Sequence, residues 1–179
     1  MEKKLLLVTG LSGSGKTTLT SQFMPIFDCN FISISNEMRR IARSDGFPKL
    51  TDYFNYFGVK NGFDNMRPQL IDILQKRVSG KPVIVDGVYD KDLFKDIVLR
   101  FGRKNIIVVS MDIAESERQK RIFFSRQADR NTIREMIRRD NLKCDAGAIA
   151  IMANADITLN DSSSGNISRI TERLGWIRK

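Results

Sequence analysis

The sequence predicts an α/β protein built on a five-stranded parallel sheet flanked by helices. Short apolar runs alternate with helical segments along the whole chain, a glycine-rich loop joins the first strand to the first helix, and a later apolar strand ends abruptly in an acid. Strand-helix alternation of this kind is the pattern of parallel sheets, whose crossovers are helices. With 179 residues, 41% of them apolar, the chain is sized for one domain with a full core. No linker or internal repeat divides it, so a single domain is expected over 1–179.

Residues 4–9 are the first apolar run, which stops at Gly10; after the glycine-serine loop, 17–23 mix apolar and polar residues as a helix does. A second apolar stretch, 30–35, leads into a basic helix over 36–43 that the turn-forming cluster 44–48 ends. The aromatic-rich segment 50–63, interrupted by Gly58 and Gly62, reads as short helices. Leu70, Ile71, Leu74 and Val78 form a helical stripe over 68–78 that breaks at Ser79-Gly80-Lys81-Pro82. Val83-Ile84-Val85 is the next strand and ends in Asp86-Gly87. A helix over 92–101 precedes the strand 105–111, whose unbroken apolar character suits burial on both faces. Helices over 116–124 and 132–152, a last strand at 156–159, a polar loop at 162–165 and a closing helix over 167–174 complete the pattern.

The chain has no histidine, which excludes Ser-His-Asp and Cys-His catalysis, imidazole bases and histidine-based zinc sites. Phosphoryl transfer survives, because it depends on positioning and charge more than on proton chemistry. Cys29 and Cys144 show no Cys-x-x-Cys spacing and read as buried free thiols. The apolar run 5–8 is too short for a signal-peptide core and no stretch is long enough to cross a bilayer, so a soluble, cytoplasmic protein with no membrane partner is expected. Thirty Lys and Arg against 21 Asp and Glu, a net charge of +9, call for polyanionic partners, either nucleic acid or small phosphorylated molecules.

The sharpest motif is GLSGSGKT, residues 10–17, which satisfies G-x-x-x-x-G-K-[ST] between a strand and a helix. Phosphate oxygens need several converging backbone N–H groups, and glycine lets the chain curl closely enough to present them at the positive end of a helix. Ser12, Gly13, Ser14, Gly15, Lys16, Thr17 and Thr18 are the candidate nucleotide-binding residues. Lys16 would reach the terminal phosphates and the Thr17 hydroxyl would ligate magnesium. The bland alternative is a flexible turn.

The Val83-Asp86 strand would end beside this loop, so Asp86 is the second candidate magnesium residue and the nearest base for a hydroxyl acceptor. Asp112 also ends an apolar strand, but Ala114-Glu115-Ser116 after it marks a helix cap. Arg118 and Arg121 share a helix face and, with Arg126, could form a basic flap that offsets charge on a transferring phosphate; Arg130, Arg134 and Arg138 extend the stretch. A solvated helix face is the competing account. At 33–43, Ser35, Asn36 and Glu37 stand at a helix start before Arg39, Arg40 and Arg43, a set able to hold an anionic acceptor or simply to cap a wet helix. Tyr53, Phe54, Tyr56 and Phe57 read as packing.

At these residues the chain resembles the adenylate-kinase-like P-loop kinases, in particular the small archaeal kinases of the adenylate-kinase-related and dephospho-CoA-kinase-like kind. The likeness runs most of its length. It implies a P-loop NTPase fold of the nucleoside monophosphate kinase type, with an acceptor-binding helical insertion at about 36–79 and a small helical lid at about 118–139. Ser35-Asn36-Glu37-Met38-Arg39-Arg40 resembles the family's acceptor segment, which implies an acceptor set of Ser35, Glu37, Arg40 and Tyr89 with Arg40 as the clamp. Val83-Gly87 resembles its Asp-Gly turn, and Arg118 and Arg121 fall where its lid arginines lie. Ile137-Arg138-Arg139-Asp140 and the segment 155–161 are also similar to the archaeal relatives. One departure stands out: the family's arginine three or four residues after the Asp of Asp-Gly is absent, and Tyr89 and Asp90 occupy this stretch.

The resemblance implies a kinase that uses ATP and Mg2+ to phosphorylate a small phosphorylated acceptor, with Lys16, Asp86, Arg118, Arg121 and Arg126 as catalytic residues. Some members of the group act on mevalonate 3-phosphate at its 5-hydroxyl. Nucleoside monophosphates and dephospho-CoA are the alternative acceptors, and a nucleic-acid-binding P-loop ATPase is the alternative of another class. A homodimer is left open. A GTPase-like switch lacks its Asn-Lys-x-Asp segment here.

Overall fold

The computed structural model describes residues 4–78, 80–126, 130–161 and 164–176. Its described residues form one parallel sheet in the order β2-β3-β1-β4-β5. The strands are β1 (Leu5–Gly10), β2 (Asn30–Ser33), β3 (Val83–Asp86), β4 (Ile106–Met111) and β5 (Ile157–Leu159). All five expected strands are present, and each pairing is parallel.

The three central strands are buried at every position because both faces are covered, and all but Thr9, Asp86 and Ser110 of their residues carry no polar side chain. Leu5 and Leu7 join a core with β2, β3 and the helices α2 (Ile34–Ser44), α4 (Val59–Val78), α5 (Lys91–Phe101) and α8 (Ala148–Ala153). Leu6 and Val8 point the other way, into a core with α1 (Lys16–Phe23) and α9 (Ser164–Leu174). Trp176 closes this second core, edge-on to Phe27 at 5.5 Å. Alternation with period two along β1 thus divides one run of leucines between two layers.

Three expectations change. The segment read as short helices followed by a separate helix is α3 (Leu50–Phe57) and one continuous α4, which passes through Gly62 and Pro68. Proline in a helix interior costs about 3 kcal/mol, but Phe63, Met66, Leu70 and Leu74 are all buried on one face of α4, at about 1.5 to 3 kcal/mol each. Burial wins. Gly62 is there for space: a Cβ would lie 2.5 Å from the Phe54 ring.

The helix expected over 132–152 is broken into α7 (Arg130–Ala146) and α8 at Gly147, whose φ of +107° no continuing helix accepts. Cys29 and Cys144 are free thiols, but both are only half-buried. The aromatic group packs as expected in part: Tyr53 and Phe54 are buried and Tyr53 meets Phe57 at 4.7 Å, whereas Tyr56 is exposed. The helix α6 (Glu115–Arg126) leans on α7 through a small cluster of Ile122, Met136 and Ile133. Among the described residues no helix is long and apolar enough to cross a membrane.

Candidate active site

The loop between β1 and α1 lies at the C-terminal edge of the sheet, where β1 sits between β3 and β4. Gly13 takes a φ of +75°, and a Cβ there would stand 2.9 Å from the Arg118 carbonyl oxygen, so conformation and space both demand glycine. The register pairs Val8 with Asp86, which brings the carboxylate to the foot of the loop.

Lys16, the first residue of α1, donates from Nζ to the Leu11 carbonyl at 2.8 Å and to Ser14 Oγ at 3.3 Å. Its solvent-accessible area makes it half-buried, yet protein surrounds the ammonium closely. Burial, and next to it the neighbouring Lys143 cation, bring its pKa down to about 8 against the pull of Asp86 and Asp140. Thr17 Oγ1 donates to Asp86 Oδ2 at 3.3 Å. Burial raises the Asp86 pKa, while Lys16 and the Thr17 hydroxyl oppose the rise.

Asp86 Oδ1 is buried with no hydrogen-bond partner among the described residues. A hard, hydrated cation such as Mg2+ would fit this arrangement, with the Thr17 hydroxyl and the Asp86 carboxylate as its oxygen donors. No group of three His, Cys, Asp or Glu side chains able to hold a metal ion occurs among the described residues.

A cavity of about 980 Å3 opens above the loop. Ser12, Gly13, Gly15, Lys16, Thr17 and Thr18 form its floor, Ser35, Asn36 and Arg39 one wall, Asp86 and Tyr89 the back, and Arg121 with α7 the other wall. Tyr89 is buried, its hydroxyl 3.5 Å from Met38 Sδ, and burial with the neighbouring Asp90 pushes its pKa up to about 12. A second cavity of about 420 Å3 shares Ser35, Arg39, Tyr89 and Lys143 with the first and continues to Arg43, Lys49, Phe54 and Arg138.

Several expected site residues lie elsewhere. Arg118 is buried and spends its guanidinium on the protein: Nε donates to the Ile113 carbonyl, Nη1 to the Ser12 carbonyl and to Asp140 Oδ2. It braces the loop and does not line the cavity. Arg121 does line it, with Nε on Glu117 at 3.2 Å and Nη1 3.4 Å from the Ser14 carbonyl. The Arg126 and Arg130 side chains lie outside the described residues.

Arg40 also lies outside the two cavities. Its side chain is 61% exposed, its Nε is held by Glu37 at 2.8 Å, and neither residue lines a cavity. Arg39, also exposed and with Nη1 on Asn36 Oδ1 at 2.7 Å, lines both cavities one helical turn from Ser35. The reason is helical phase: α2 starts at Ile34, and Ile34, Met38, Ile41 and Ala42 bury one stripe, leaving 35 and 39 beside the cavity and 40 in solvent. Asp112 is exposed, and its N–H is donated to the Leu159 carbonyl at 2.8 Å.

Asp140 and Lys143 are the bracing and cavity residues that the sequence reading missed, whereas Arg39 was among its candidate cations with Arg40 preferred to it. Thr132, Met136, Arg139 and Lys143 recur at helical spacing along α7 and all line the larger cavity, a stripe whose signal was hidden among the surrounding charges.

No protein-family model and no curated protein matches the chain. Solved structures do. Shikimate kinase from Bacteroides thetaiotaomicron superposes with a TM-score of 0.66 at 15% identity, covering 95% of this chain and 97% of that one. TT1252 from Thermus thermophilus follows at 0.62 and 14%, over 97% and 99% of the two chains. An uncharacterized protein from Eubacterium ventriosum gives 0.52 and 13%, over 96% and 98%. The fold is therefore the P-loop NTPase fold that the shikimate kinase structure also has.

Proposed function

We propose that this chain is a kinase that transfers the terminal phosphoryl group of ATP to a small anionic phosphorylated acceptor. The observation that carries the proposal is the meeting of Lys16, Thr17 and Asp86 on one cavity that runs into a second, cation-rich one. The loop amides and Lys16 bind the donor phosphates. Thr17 and Asp86 would hold Mg2+, which would supply positive charge beside the donor phosphates. Arg121 offsets charge from the α6 side, and Arg39 takes over the acceptor-clamp role assigned to Arg40.

The domain reading accompanies this proposal: one kinase domain over 1–179, with an acceptor insertion at about 36–79 and a lid at about 118–139, in the cytoplasm. The compact second cavity, with Arg39, Arg43, Lys49, Arg138, Arg139 and Lys143 against the single carboxylate of Glu135, favours a small acceptor over a nucleoside. Mevalonate 3-phosphate, phosphorylated at its 5-hydroxyl, is the specific acceptor proposed on the family resemblance.

An ADP-release screen tests the proposal, using nucleoside monophosphates, dephospho-CoA and phosphorylated mevalonates. Turnover is expected only with a phosphorylated small acceptor. Efficient phosphorylation of a nucleotide-containing acceptor would return the chain to the nucleoside monophosphate or dephospho-CoA kinases, and RNA-stimulated hydrolysis with a steep salt dependence to the nucleic-acid ATPases.

A further inference from the structure

Lys143 lies on α7, and its side chain is 16% exposed. It lines both cavities, with Lys16, Thr17 and Asp86 on the larger one and Arg43 and Lys49 on the smaller. Its Nζ donates to Ser12 Oγ at 2.9 Å, lies 5.8 Å from the centre of the Tyr89 ring and stands 3.9 Å from Asp140 Oδ1, beyond hydrogen-bond reach. Asp140 is already engaged: Oδ2 accepts from Arg118 and Oδ1 from the Ser12 N–H at 2.7 Å.

The charges in this region do not cancel. Asp86 and Asp140 are the two carboxylates that act on Lys16 and Lys143, and Asp140 is also hydrogen-bonded to Arg118, so three cations share two anions. A cation already bound by Asp86 would deepen the excess. An ammonium that lines both cavities and shares its nearest carboxylate with Arg118 has room and charge for an anion beside it. Phosphate is the anion that the glycine loop is shaped to receive, and Lys143 reaches that loop from α7 through Ser12.

We propose that Lys143 is a catalytic residue that contacts the phosphoryl group in transit between the two cavities. This rests on the kinase reading above. In the transfer, the bond between the terminal phosphorus of ATP and the bridging oxygen breaks, and its electron pair leaves on ADP. The acceptor hydroxyl oxygen forms the new bond to phosphorus and gives up its proton to solvent or to Asp86. Lys143 keeps its protons and holds equatorial oxygens of the moving group, while Lys16 holds the donor side. Contact that strengthens in the transition state is worth turnover more than substrate affinity.

The experiment is steady-state phosphoryl transfer from ATP to the acceptor found in the screen, on the wild-type chain, Lys143→Met and Lys143→Arg. Lys143→Met should lower kcat by about a hundredfold or more with KM for ATP changed less than about threefold, and Lys143→Arg should recover at least about tenfold of the loss. Melting temperature is recorded for each, and Lys143→Gln replaces the methionine variant if that one does not fold. A folded variant with wild-type kcat overturns the inference and leaves the kinase reading standing. So does a loss confined to ATP affinity, which would make Lys143 a support for Ser12 only. A wild-type chain that binds ATP but phosphorylates no acceptor overturns the kinase reading and this inference with it.

Discussion

Arg118 on α6 donates to Asp140 on α7, and the other oxygen of the same carboxylate takes the Ser12 N–H at 2.7 Å, so one buried ion pair ties two helices to the phosphate loop. The Arg118 carbonyl oxygen also crowds Gly13. The pair is a brace. Removing one partner strands the other charge in the protein, so Arg118→Ala or Asp140→Ala should cost about 3 to 5 kcal/mol in urea unfolding. Arg138→Ala, which breaks an exposed pair with Glu135, should cost less than about 1 kcal/mol. Equal losses at the two sites would show that Arg118 braces nothing.

Lys16 gives a pH prediction. Its pKa of about 8 in the folded chain is below the ordinary 10.5, so between these values the unfolded chain carries a proton that the folded one has lost. Lys16 therefore adds stability as pH rises through this window. Phosphate oxygens favour the ammonium form, so ATP binding near pH 8.5 should take up protons. Calorimetry in two buffers of different ionisation enthalpy measures the uptake. Lys16→Met should remove most of it and lower turnover by about a hundredfold or more.

Asp86 should show opposite effects on function and stability. Asp86→Asn should raise the Mg2+ needed for half-maximal turnover by about tenfold or more, while Asp112→Asn leaves it unchanged. Burial raises the Asp86 pKa, so its charge destabilises the fold increasingly as pH climbs from the ordinary carboxylate value through the raised one. At neutral pH in the absence of Mg2+, Asp86→Asn should therefore melt at the same temperature as wild type or higher. A marked drop in melting temperature would mean that Asp86 serves the fold.

Arg39 and Arg40 separate the two assignments of the acceptor clamp. Losing a charge-assisted contact costs about 1.5 to 3 kcal/mol, so Arg39→Ala should raise the acceptor KM by about ten- to a hundredfold and leave the ATP KM nearly unmoved. Arg40→Ala should change either by less than about threefold. The reverse result would restore the reading taken from the sequence motif.

What the sequence made legible was local. The strand and loop positions follow from runs of adjacent residues: Leu5 to Val8 read as a strand because nothing polar interrupts them, and Gly13 and Lys16 declare the phosphate loop within eight residues. Asp86 stands beside the loop because the parallel register of β3 with β1 brings both strand ends to the same edge. Helix boundaries were not legible in the same way, since Pro68 and Gly62 argue locally for a break that four buried side chains override.

The assignment of individual cations was left to the tertiary structure. Arg39 and Arg40 differ by about 100° around a helix, so a start two residues earlier than expected decides which of them meets the cavity. Arg118 and Arg121 look alike in sequence, yet Arg118 finds Asp140 twenty-two residues away and is consumed by it, while Arg121 reaches the cavity. Lys143 is one basic residue among many until α7 lies across the loop. Sequence by itself determined the strands, the phosphate loop and its acid, because these depend on backbone propensity and nearby spacing. Only the packing of α2, α6 and α7 against that loop decided which charges are buried, paired or left to meet an anion, because a charge acts over the few ångströms that the fold, not the chain, sets.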